Sequence, residues 1–163
     1  MSGWYTTILL LHSWLRWGVL ALGVWCGLAA ARGWRQRAPF GGADVRRLTL
    51  FVAAVDTQLL LGLLLYAQLS PITSIAFGNL GAAMGNAVLR FFVLEHPLAM
   101  VSGVALLHVG SVRARRLGAD PTRHRAVLRT IGLALLCVLI GIPWPGLPYA
   151  RPLFHLPASR AAP

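Results

Sequence analysis

Five ionisable side chains sit inside otherwise apolar runs of this 163-residue sequence: His12, Arg16, Asp56 and the adjacent pair Glu95 and His96. Such groups cost several kcal/mol in lipid unless they face a bundle interior and find a partner, so chemistry is sought there first. His12 and Arg16 are four residues apart and therefore share one face of a helix. At about 1.5 Å of rise per residue, His12 lies ~12 Å below the outer start of its apolar run, and His96 ~12 Å below the start of its own. The two runs point the same way, so the imidazoles are expected at similar depth. Imidazole is a common axial haem ligand and helix bundles house cofactors in their cores, so one expectation is a single b-type haem with His12 and His96 on its iron. Two other readings stand beside it. Each histidine can be a hydrogen-bonded core residue, His12 satisfied by Glu95 or Ser13 and His96 by a backbone carbonyl. A metal can be held by both histidines and Glu95 or Asp56, although no paired-ligand motif such as HExxH supports that.

The neighbours extend the pattern. Asp56, ~12 Å into its run from the cytoplasmic side, reaches the level of Arg16, and an Arg16–Asp56 ion pair is the expected remedy for two charges in lipid. Pro97 removes the helical hydrogen bond to the Val93 carbonyl and should kink the helix beside His96. Met100 and Gly103 follow on the His96 face, where a small residue permits close approach of a helix or a cofactor. Arg90 is expected at the outer boundary, its planar fork suited to haem propionates or lipid phosphate, with snorkelling to headgroups as the plainer role. His108 follows His96 by twelve residues, about 120° around an ideal helix, so one site is favoured over two. His124 reads as a solvated loop histidine, and His155 in the tail is uninformative.

What must position these residues is a set of membrane helices. Hydrophobic residues make up 57% of the chain and charged ones only 12%, half the charged share of an ordinary soluble domain, which is about 25%. The formal charge of +11 would suggest nucleic acid only if the arginines lined one face beside a readable motif; they fall between apolar runs instead. Four runs, roughly Trp4–Ala30, Leu48–Leu69, Val88–Gly110 and Val127–Ile142, approach or exceed the ~20 residues a hydrocarbon core requires. The first is too long, and lacks the basic flank, of a signal peptide. Eleven arginines, from Arg32 to Arg47 and from Arg113 to Arg129, occupy the first and third connections. The positive-inside rule puts those loops in the cytoplasm and both termini outside. The expected architecture is an all-α integral membrane four-helix bundle over 1–146, followed by a Pro-rich outer tail over 147–163. Residues 70–85 have room for a short surface helix, Pro143, Pro145 and Pro148 should stop the fourth span, and Cys26 and Cys137 read as packing residues.

The strings LHSWLRW at Leu11–Trp17, VDTQLLLGLLLY at Val55–Tyr66, LRFFVLEHP at Leu89–Pro97 and IPWP at Ile142–Pro145 resemble a small bacterial four-helix membrane family, frequent in Bacteroidetes and relatives and commonly labelled cytochrome b-like. The resemblance covers essentially the whole membrane part. Its most specific elements are His12, Arg16 and Trp17 in one run and Glu95, His96 and Pro97 in another. It implies an electron-transfer protein of the bacterial inner membrane, rather than a stand-alone enzyme, holding haem b and exchanging electrons with quinone or a redox partner. A different class of role is a non-catalytic accessory subunit of a larger respiratory or photosynthetic complex. A transporter has less support, since no inverted repeat is visible.

Overall fold

The computed structural model describes residues 3–118 and 120–154. Seven α-helices follow one another: α1 (Gly3–Gln36), α2 (Gly42–Leu64), α3 (Pro71–Gly78), α4 (Leu80–Gly85), α5 (Ala87–Arg90), α6 (His96–Arg116) and α7 (Asp120–Gly141). Two π-helical turns, Leu65–Leu69 and Phe91–Glu95, extend α2 and join α5 to α6. Among the described residues there is no strand. Four rods, Gly3–Gln36, Gly42–Leu69, Ala87–Arg116 and Asp120–Gly141, are long and apolar enough to cross a membrane. Their outer surfaces carry large apolar side chains, among them Leu60, Leu98, Leu136 and Ile140. Helices apolar all round are solvated by lipid rather than water, so the chain is a multi-pass membrane protein.

Helix ends follow from local sequence. The first span runs past its expected end at Ala30 to Gln36, then closes with Ala38 N–H on Gly33 O (3.0 Å) and Arg37 N–H on Trp34 O (3.3 Å). That pair of bonds requires a left-handed residue where glycine is usual, and Arg37 takes it at φ 52°. At the start of α2, the Asp44 carboxylate accepts from Gly41 N–H (3.0 Å). The fourth span begins earlier than its apolar run, because Asp120 and Pro121 suit a helix first turn. His124 is therefore no loop residue: it lies in α7, is 1% exposed and packs against Phe40. The 70–85 connection holds two short helices, α3 and α4.

Around the bundle the order is α2, α1, α7, α6, with α2 and α6 touching least. Val19, Leu48, Phe51, Leu107, Ile131 and Ala134 form the buried centre. Glycine lets α6 and α7 pack closely: a Cβ at Gly110 would meet the Thr130 side chain, and one at Gly141 would meet Met100. Cys26 and Cys137 are free thiols.

Candidate functional site

Proline arithmetic places the first functional side chain. α7 stops at Gly141, just ahead of Pro143 and Pro145, so Gly141 O is one of the terminal carbonyls without an intrahelical partner. His96 Nδ1 donates to it at 2.7 Å. A carbonyl can only accept, so this bond fixes the proton on Nδ1 and leaves Nε2 with a free lone pair. Pro143 orphans Leu139 O in the same way, and Trp144 Nε1 donates there at 2.8 Å. On α6, Pro97 orphans Val93 O, which Tyr66 Oη fills at 3.0 Å. Three carbonyls without a helical partner are thus claimed by three side chains. The expected disturbance at Pro97 takes the form of the π-helical turn Phe91–Glu95, a feature common at functional sites.

His12 reaches the same place from α1. Its ring rests against Gly62, where an added Cβ would stand 3.1 Å from Cε1, and Gln58 Nε2 donates to its backbone carbonyl at 2.9 Å. Its Nδ1 is buried with no hydrogen-bond partner among the described residues. The two imidazole centroids are 6.3 Å apart with planes at 71°. Both rings line a cavity of about 180 Å³, together with Arg16, Met100, Gly103 and Arg151.

Other residues singled out in the sequence lie elsewhere. Arg16 and Asp56 do not pair. Arg16 Nη2 donates to Leu153 O at 2.6 Å, while Asp56 Oδ1 meets His108 Nε2 at 2.8 Å. Equal depth did not suffice, because Arg16 faces the cavity and Asp56 faces α6 across the loose α2–α6 seam. Arg90 is outside the cavity lining: its Nε bonds Glu95 Oε1 at 2.7 Å and its Nη1 donates to Met84 O at 3.1 Å. Glu95 is thereby occupied and does not serve His12. No cluster of three His, Cys, Asp or Glu side chains suited to a metal ion occurs among the described residues.

Sequence reasoning missed the tail. Residues 143–154 return over the bundle as a strap. Tyr149 stacks on Phe91 (3.7 Å, 9°), Phe154 stacks on Trp17 (5.3 Å, 12°), and Arg151 lies over the Phe92 ring (5.3 Å). Leu153 O also accepts from Trp17 Nε1 at 3.3 Å. The signal lies in Tyr149, Arg151 and Phe154, side chains able to stack or bond that fall close together in the tail. His155 and the rest of the expected tail lie outside the described residues.

No family model, curated protein or solved structure matches this chain.

Proposed function

We propose that the chain is a membrane electron-transfer protein that holds one b-type haem between His12 and His96. The spacing of the two imidazoles carries the reading. With a metal–nitrogen bond of about 2 Å and the ring centre roughly 1 Å behind each nitrogen, two imidazoles on opposite sides of one ion have centroids about 6 Å apart; here they are 6.3 Å apart. His96 Nδ1 donates to a backbone carbonyl, as the other ring nitrogen of a metal-bound histidine ordinarily does. The cavity supports an occupant independently. It is a partly open cleft of about 180 Å³ lined mostly by apolar side chains, the kind of concave site that a largely apolar ligand fills.

Under this reading His12 and His96 would hold the iron and Gly141 O would keep Nε2 of His96 free for it, while Gly62 lets the His12 ring lie close to α2 and Gly103 lets α6 lie close to α7. Bound there, the group supplies one-electron exchange with quinone or a neighbouring redox protein of the bacterial inner membrane. A reduced-minus-oxidised spectrum of protein purified from haem-replete cells tests it. Bands at b-haem positions are expected, and H12A and H96A should each abolish them while protein yield stays similar. A signal that survives either substitution refutes the assignment.

One observation favours a second reading. The Asp56–His108 pair is 40% and 50% exposed within two spans, a cost in lipid that a neighbouring subunit would remove. An accessory subunit of a larger membrane complex fits that pair. Absence of haem, with co-purification of a complex through the α2–α6 face, would favour this reading over the first.

A further inference from the structure

The chain has four acidic side chains, and each has a basic neighbour: Asp44 pairs with Arg47, Asp56 with His108, Glu95 with Arg90 and Asp120 with Arg123. None remains for Arg16 or Arg151, the two guanidinium groups that line the cavity. Among the described residues Arg16 meets the Leu153 carbonyl and the Trp17 ring, and its buried Nε has no partner there. Arg151 has the Phe92 ring for its guanidinium, and its backbone N–H binds Pro143 O at 3.1 Å. Arg16 is partly buried within a span, where an uncompensated charge is costly, and Arg151 is exposed at the rim of the same mostly apolar cavity. The four acidic side chains supply neither with an anion.

We infer that Arg16 and Arg151 form a clamp for the anionic groups of an amphiphilic ligand whose apolar body fills the cavity. The strap makes the clamp. Arg151 lies on it, and the Leu153 carbonyl two residues on is the acceptor that an incoming carboxylate would replace at Arg16. Guanidinium binds carboxylate through two parallel hydrogen bonds and a carbonyl through fewer, so the exchange favours the anion. Taking the anions to be the two carboxylates of a tetrapyrrole rests on the haem reading above; a lipid phosphate presents the same chemistry to the same residues.

Metal-free protoporphyrin IX and its dimethyl ester separate the clamp from iron ligation, because neither probe needs the histidines. Full-length protein purified in detergent without haem is titrated with each, and binding is read as quenching of tryptophan fluorescence. The diacid should bind at least tenfold more tightly than the diester. R16Q and R151Q should each remove most of that preference, and a diester that still binds reports that the variants fold. Equal affinity of the wild type for the two porphyrins, or a preference that persists in R16Q/R151Q, overturns the clamp. If neither porphyrin binds, native mass spectrometry with phosphatidylglycerol and phosphatidylcholine decides. Retention of the anionic lipid by the wild type, but not by R16Q/R151Q, keeps the clamp and removes the haem reading. Retention without preference overturns the clamp.

Discussion

His96 is held by a carbonyl left open at the C-terminal end of α7, and Tyr66 fills another that Pro97, lacking an N–H, cannot. Backbone groups left open in a membrane span have no water to turn to, so each such side chain stabilises more than its own packing suggests. Tyr66→Phe should therefore destabilise the protein by about 1 kcal/mol, read as a lower midpoint of unfolding in mixed micelles. An unchanged midpoint would mean that Val93 O finds another donor. The Asp56–His108 pair makes a second residue-scale case. D56N and H108A should each destabilise, and the double variant should lose less than the two singles together, because each single leaves a stranded partner. Strict additivity would show that the two side chains do not interact.

Close approach governs the elements. α6 and α7 touch along a line on which Gly110 faces Thr130 and Gly141 faces Met100. Gly110→Ala must push the Thr130 side chain aside, and overpacking of this kind costs about 1–3 kcal/mol. Adding Thr130→Ala should recover much of the loss; if it does not, the helices are separated by something other than that contact. At the end of α1 the sign reverses. Arg37 occupies a left-handed position at φ 52°, so Arg37→Gly should stabilise by about 0.5 kcal/mol, the relieved side-chain strain outweighing the extra chain entropy. A fall in the unfolding midpoint would contradict that balance.

Orientation belongs to the whole molecule. The arginine loops define an inside if they remain in the cytoplasm, and the strap then closes the cavity from the outer side. In a background without Cys26 and Cys137, Leu147→Cys should react with a membrane-impermeant maleimide on intact cells, and Gly41→Cys should react only after lysis. The opposite pattern would invert the protein. The strap also changes how the chain divides. A boundary at residue 146 separates a membrane domain from a tail on paper, yet Tyr149, Arg151 and Phe154 pack on Phe91, Phe92 and Trp17, so the last described residues are part of the site.

Apolar run length and the absence of water in lipid were enough to read four spans from the sequence, since a segment of that kind has no alternative to a helix that satisfies its own backbone. The same reasoning singled out His12, Arg16, Asp56, Glu95 and His96, because ionisable residues stand out against an apolar background. Their partners were another matter. Depth follows from counting residues, but azimuth depends on how each helix is turned and which seam is loose. Arg16 therefore meets a tail carbonyl, Asp56 meets His108, and His124 is buried beneath Phe40. The sequence determined which groups need a partner; the packing of α1, α2, α6 and the strap decided which partner each one has.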